Sequence, residues 1–546
     1  MRYNLLILKL LFTILFMACT SKEKVDLIIH DATIYTVDSG FSQVSAFAVK
    51  DGRFVATGPD EEILERYEAD EILDMQGKFI YPGLIDAHCH FYWFGINLSE
   101  LDLVGTKSWD DVVQRVKQYG DENSQGWILG RGWDQNDWPV KEFPENRKLD
   151  SLFPDRPVFI RRIDGHAAIA NTHALKLAGI DSTTSVDGGE IGMRDGLLTG
   201  ILVDNAMELV QAVVPRASAQ RNIEALTSAE ERCFEVGLTS VGDAGLDKAK
   251  IDLIDSLQKN SKLRMRIYAM LTPDEQNIEH YYKNGPYKTE RLNVRSFKFY
   301  ADGALGSYGA ALLEGYADQP GKNGFLLQDP GYYVKFAQEM KELGFQMNTH
   351  AIGDRANKLI LDIYGDALGE GNDRRWRIEH CQVISVEDFP KFGKFNIIPS
   401  VQPTHATSDM YWAADRLGNE RVEYAYAWQD LQKSAGLVAG GSDFPIEDIN
   451  PLFGFYAAVA RKDKDGFPPE GFQPGNALTR EQALRAMTIW AAYAAFEETE
   501  KGSIETGKFA DFVVFEEDLM TAPEDSLWQL QVSQTWLGGE QVFIRK

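Results

Sequence analysis

Cysteine is scarce: four residues, Cys19, Cys89, Cys233 and Cys381, stand far apart in a chain of 546. A disulfide-built scaffold is therefore excluded, and the three thiols after Cys19 read as small buried hydrophobes. Basic residues are also short, 56 against 82 acidic, and the formal net charge of −26 argues against nucleic acid as a partner. The apolar run near the start, Leu10 to Ala18, falls short of the ~20 residues that span a bilayer. No internal repeat or low-complexity stretch is present, which sets aside solenoids and fibrous arrays. What remains is an ordinary globular composition, 44% hydrophobic and 25% charged, in a chain long enough for a large barrel plus a smaller domain.

The first residues read as an export signal. Arg2 and Lys9 flank the start, the apolar run follows, and Cys19 opens the polar segment Thr20-Ser21-Lys22-Glu23-Lys24. Phe16-Met17-Ala18-Cys19 resembles a bacterial lipoprotein cleavage box, with Phe16 where that pattern prefers leucine. The resemblance implies a signal peptide over 1–19, a lipid anchor on Cys19, and an exported protein held at a membrane, facing the periplasm or the cell exterior.

Beyond the signal, Val25–Val37 and Ala46–Ala56 are β-rich runs, and Ala510–Phe515 and Val542–Ile544 supply similar strands at the far end. The expectation is one β-sandwich built from 20–82 and 500–546. Between these ends, over 83–499, short apolar strands alternate with helical segments, the pattern of a parallel α/β barrel. Strands are expected at Leu84–His90, Leu238–Asp243, Arg264–Met270, Ser296–Ala301, Phe345–His350, Arg377–His380, Ile397–Gln402 and Leu437–Asp443. Eight is the number of a (β/α)₈ TIM-like barrel, whose catalytic residues sit at the C-terminal strand ends. The gap between the first two strands is too long for a simple crossover. Residues 91–235 read as an insertion over the barrel mouth, and Trp133 and His166, set among glycines, are its candidates to face substrate.

The chemistry centres on Asp86-Ala87-His88-Cys89-His90. Residues two apart on a strand share a face, so His88 and His90 aim two imidazoles at one point, which suits zinc or a similar divalent metal. A lone His-x-His is satisfied by ordinary polar contacts about as often as it ligates. Here, however, other strand ends add Lys298, His350, His380 and Asp443 in barrel order.

These motifs, with Asp164-Gly165-His166, Ala301-Asp302-Gly303, His350-Ala351-Ile352-Gly353-Asp354 and Gln402-Pro403-Thr404-His405, resemble the amidohydrolase superfamily. The chain looks most like amidohydrolase family 3, the branch containing N-substituted formamide deformylase. The resemblance implies that His88, His90, His350, His380 and Asp443 bind metal, with Lys298 as a carboxylated bridge between two zinc ions. Two cations roughly 3.5–4 Å apart would turn a bridging water into hydroxide at neutral pH. Asp443 would then shuttle a proton from that nucleophile to the leaving amine. His405 and His166 are assigned to substrate polarisation or positioning. Ile169 stands where relatives often carry tryptophan, so the pocket wall differs.

The expectation is thus a hydrolase of a non-peptide C–N bond, an N-acyl or N-formyl amide, with a small-molecule substrate. A cyclic-amide hydrolase or deaminase on the same barrel, and a catalytically silent ligand-binding lipoprotein, remain as alternatives.

Overall fold

The computed structural model describes residues 22–546. Cys19 and its cleavage box lie outside the described residues. Among the described residues no helix is long and apolar enough to cross a membrane.

The central sheet holds eight parallel strands: β1 (Leu84–Cys89), β2 (Leu238–Leu246), β3 (Arg266–Leu271), β4 (Leu292–Tyr300), β5 (Gln346–Ala351), β6 (Arg377–His380), β7 (Ile398–Val401) and β8 (Ala439–Gly440). Each pairs with its sequence neighbour, and all eight fall where the apolar runs predict them. The circle closes just past β8, where Asp443 N donates to the His88 carbonyl at 2.8 Å and His90 N donates to the Phe444 carbonyl at 2.8 Å. Two residues expected to share one site are thereby stitched together by their own backbone.

Strand alternation sorts side chains between the barrel interior and the helix ring. On β4 and its neighbour, Phe297 packs edge-on to Phe345 at 5.2 Å and Phe299 meets Phe336 of the helix Pro330–Leu343 at 5.1 Å. Fully burying each such ring contributes roughly 1.5–3 kcal/mol. Lys298, between the two phenylalanines, consequently points to the opposite face. The helices follow the same logic. Lys248–Lys259 starts at Asp247, whose side chain accepts from Lys250 N, and buries Ile251, Ile254 and Leu257 at helical spacing.

Two further sheets lie beside the barrel. One runs Arg53–Gly58, Ala46–Lys50, Glu23–His30, Tyr67–Asp74. The other runs Glu540–Ile544, Val532–Leu537, Phe512–Phe515, Phe79–Pro82, Thr33–Tyr35, Gln43–Val44, and so joins both ends of the chain. Phe47, Phe54, Phe512 and Trp536 share the apolar core between them. Arg266 at the start of β3 forks onto Asp511 at 2.7 and 3.1 Å, a buried bidentate pair that ties this unit to the barrel.

The segment between β1 and β2 carries a six-stranded sheet of its own, ordered Gly189–Arg194, Leu197–Asp204, Ala167–Ala170, Val158–Arg162, Ile128–Trp133, Leu101–Asp102. Trp133 departs from the expectation that it faces substrate. It is fully buried in the core of this sheet, and its Nε1–H donates to the Ile160 carbonyl at 3.1 Å. The glycines around it serve close strand packing, so the aromatic ring is structural. Ile169 lies in the same core.

Candidate functional site

The strand ends of β1, β4, β5 and β6 and the loop after β8 bring the six candidate metal ligands, His88, His90, Lys298, His350, His380 and Asp443, together. His88 on β1 donates from Nδ1 to Glu379 Oε2 at 2.5 Å, which turns its Nε2 toward Lys298 and Asp443. Lys298 Nζ donates to that Nε2 at 3.1 Å, and Asp443 Oδ1 lies 3.4 Å from it. His90 donates from Nδ1 to the Ala244 carbonyl at 3.1 Å and sets its Nε2 3.1 Å from the same Asp443 oxygen. His380 is held through Nδ1 by Gln402 Oε1 at 2.8 Å, and its ring packs 5.0 Å from His88 and 4.5 Å from His350. Fixing one imidazole nitrogen on a protein acceptor commits the other to the site.

Backbone strain completes the convergence. Arg377 holds Glu379 inside the barrel, its Nη2 donating to Oε2 at 2.9 Å and its Nε lying 2.8 Å from Oε1 in an ion pair. Strict alternation would then turn His380 outward. A positive φ of 76° at His380 breaks the alternation, and Asp443 is likewise left-handed at φ 63°. Such conformations cost of order 1–3 kcal/mol and cluster where geometry serves function.

Two triads have ligand atoms within 4.8 Å of one another: His88, His90 and Asp443; and His380, His405 and Asp443. Asp443 belongs to both. The second triad includes His405, which the sequence reading gave to substrate, and omits His350. His405 Nε2 sits 3.7 Å from Asp443 Oδ2, while Glu447 accepts from its Nδ1 at 2.9 Å. His350 adjoins His380, and its Nε2 is buried without a hydrogen-bond partner, 3.6 Å from Asp302 Oδ1. Asp302 itself accepts from the backbone of Ala311, Ile352 and Gly353 and so braces the loop behind β5.

The protonation states suit cation binding. Burial lowers His88 to about 4, with Lys298 adding to the effect and Glu379 opposing it. His350 and His380 are pushed well below the usual imidazole range, chiefly by burial. All three are therefore neutral donors. Burial alone would raise Asp443, but the neighbouring imidazoles, His405 and His90 foremost, outweigh it and hold the carboxyl well below its ordinary value. Burial would also raise Glu379, yet Arg377 and His88 keep it ionised. His405 is the exception among the imidazoles: burial opposes its charge, but Asp443 and Glu447 raise it to about 10. Lys298 falls to about 8, because burial outweighs Glu379 and Asp443. Three neutral imidazoles, a carboxylate, and two orphaned buried atoms, Asp443 Oδ1 and His350 Nε2, form a donor set that fits zinc or a similar divalent ion.

Above this cluster opens a cavity of about 1340 Å³, lined by His350, His380, His405 and Asp443 below and by Arg131 and His166 of the inserted segment. That exceeds the roughly 300–1,000 Å³ of typical ligand clefts. His166 packs 4.9 Å from His350 and donates from Nδ1 to Asp204 Oδ1 at 2.6 Å. Glu379, Arg377, Glu447 and Asp204 escaped the sequence reading. Only the alternation in Arg377-Ile378-Glu379-His380 hinted at the first two.

Comparison with known proteins places this geometry in a lineage. The chain is 34% identical over 544 residues to Protein LONG AFTER FAR-RED 3 of Arabidopsis thaliana, covering 95% of this chain and 91% of that one. It is 26% identical over 541 residues to an N-substituted formamide deformylase of Arthrobacter pascens, covering 94% and 97%. Among solved structures, an uncharacterized metal-dependent hydrolase from Pyrococcus horikoshii OT3 superimposes with a TM-score of 0.76 at 27% identity, covering 91% of this chain and 99% of that one. The model of the amidohydrolase family matches residues 71–543. With its eight-stranded barrel and its histidine and aspartate cluster at the strand ends, the chain belongs to the amidohydrolase family.

Proposed function

We propose that the protein hydrolyses a non-peptide carbon–nitrogen bond, an N-acyl or N-formyl amide, with two divalent cations, zinc by preference. The observation that carries this reading is the carboxylate of Asp443, ionised and shared between two clusters of imidazole nitrogens at the floor of a large cavity. His88 and His90 with Asp443 would hold one cation, and His350 with His380 the second, with Lys298 as a carbamate between them. His350 is preferred to His405 there because its Nε2 is neutral and unpartnered, whereas Glu447 and Asp443 keep His405 cationic. When bound, such cations supply Lewis acidity that acidifies water and polarises an amide carbonyl.

The chain's own groups divide the remaining work. Asp443 takes the proton of the attacking water and hands it to the departing nitrogen, so amide and water become acid and amine. His405, oriented by Glu447, donates toward the substrate carbonyl oxygen. The inserted segment roofs the cavity and sets which substituent fits. The similarity to an N-substituted formamide deformylase supports the formyl end of the range, and the generous cavity supports a bulky group on nitrogen.

A panel of amides tests the bond class. Zinc-loaded protein is expected to release p-nitroaniline from p-nitroformanilide or p-nitroacetanilide, or the free amine from N-acyl amino acids. Turnover confined to cyclic amides such as hydantoin, or to deamination of a cyclic amidine, would move the assignment to another reaction on the same barrel.

A further inference from the structure

Asp204 does not behave as its position dictates. An aspartate that opens a helix ordinarily accepts a backbone N–H from the first turn. Asp204 opens the helix Asn205–Gln211 without making that bond, at a left-handed φ of 50°. Its carboxylate instead accepts the Nδ1–H of His166 at 2.6 Å, and its own backbone N donates to the His166 carbonyl at 2.9 Å. The two residues thus face each other at the end of an antiparallel ladder in which Ala167 pairs with Val203.

The surroundings are shaped to this carboxylate. Its side chain is 1% exposed, against 18% for the His166 ring that lines the cavity. The second oxygen, Oδ2, is buried with no partner. A Cβ on Gly303 would stand 2.2 Å from that oxygen, and one on Gly309 2.4 Å. No non-bonded carbon and oxygen approach so closely, so two glycines from the loop after β4 keep the space that the Asp204 carboxylate fills. An unsatisfied buried oxygen, a forgone cap and a strained backbone are three separate costs, and all three serve one hydrogen bond to His166.

We propose that Asp204 is a positioning residue: by accepting the Nδ1–H of His166 it commits the opposite ring nitrogen, Nε2, to substrate in the cavity. What Nε2 meets there, the amide oxygen or the departing nitrogen, rests on the amide-hydrolase reading above. Asp204 touches no reacting atom and acts only through His166.

The test uses zinc-loaded full-length protein as wild type, Asp204→Ala, His166→Ala and the double variant, with p-nitroformanilide as probe. Crystal structures of the wild type and Asp204→Ala accompany the kinetics. Asp204→Ala should keep the wild-type metal complement and lose roughly 10–100-fold in kcat/KM, as for other residues that orient an active imidazole. The double variant should be no slower than His166→Ala alone, because the two act as a unit. In the Asp204→Ala crystal the His166 ring should leave its wild-type orientation. Gly309→Ala, which keeps both residues but crowds the carboxylate, should reproduce the loss. Additive losses in the double variant, or an unmoved His166 ring, would overturn the proposal. If the wild type cleaves no anilide, the substrate reading fails, and the ring orientation alone decides the role of Asp204.

Discussion

Asp443→Ala is expected to lower kcat/KM by roughly 10²–10⁴-fold, the range for losing a positioned acid or base, and to strip bound metal as well. Asp443 is the one residue common to both triads, with its two oxygens facing His88 and His90 on one side and His405 on the other. Removing it separates the two clusters and leaves several imidazoles facing an uncompensated space. The carboxyl is ionised at neutral pH because the neighbouring imidazoles, His405 and His90 foremost, outweigh the effect of burial. It can therefore neutralise cations and receive a proton in the same cycle. Asp443→Asn separates the two duties, since an amide can still ligate through one oxygen but cannot accept a proton. Metal per chain and kcat/KM for both variants check the account, and an alanine variant with normal metal and normal rate would refute it.

Lys298→Ala is expected to lose both metal and activity, by at least the roughly 10–100-fold seen when a residue that merely supports a ligand is removed. Lys298 is 1% exposed, and its Nζ lies 3.1 Å from the Nε2 that His88 offers to the site. An ammonium there would repel cations. Burial draws its pKa down to about 8, which increases the share of neutral amine, the form that can add carbon dioxide to become a carbamate. The carbamate is an anion with two oxygens and reverses the sign of the residue. Added acetate or propionate should restore part of the metal and part of the rate in Lys298→Ala by occupying the vacated position. Full metal and near-normal turnover without any added carboxylate would show that Lys298 is no ligand and would favour a one-metal site.

The barrel was legible because parallel strands buried on both faces are written as apolar runs, and five of the eight runs carried polar residues of the right kind at or near their ends. His88 and His90 were legible for the same reason, since strand spacing carries them to one point. His380 and Asp443 were found by residue type rather than by geometry. Simple alternation would have turned His380 away, and only the positive φ of 76° brings it inward. Trp133 was misjudged because glycines around an aromatic ring look alike whether they open a pocket or let strands pack closely. Its full burial in the inserted sheet settles the matter. Glu379 and Asp204 left almost no trace in the sequence. A carboxylate that works by holding an imidazole has no fixed spacing from it: Glu379 is 291 residues from His88, and Asp204 is 38 from His166. Such partners appear only when the fold folds them together, although they decide which ring nitrogen each histidine presents.

Metal content linked to turnover tests the central claim most directly. Full-length protein prepared without chelator should contain about two equivalents of zinc or another divalent ion per chain, by analogy with two-metal hydrolytic sites. Stripping that metal should abolish hydrolysis of whichever amide the panel identifies, and restoring zinc should return it in proportion to the sites refilled. Metal-free protein that hydrolyses the same amide at the full rate would contradict the account.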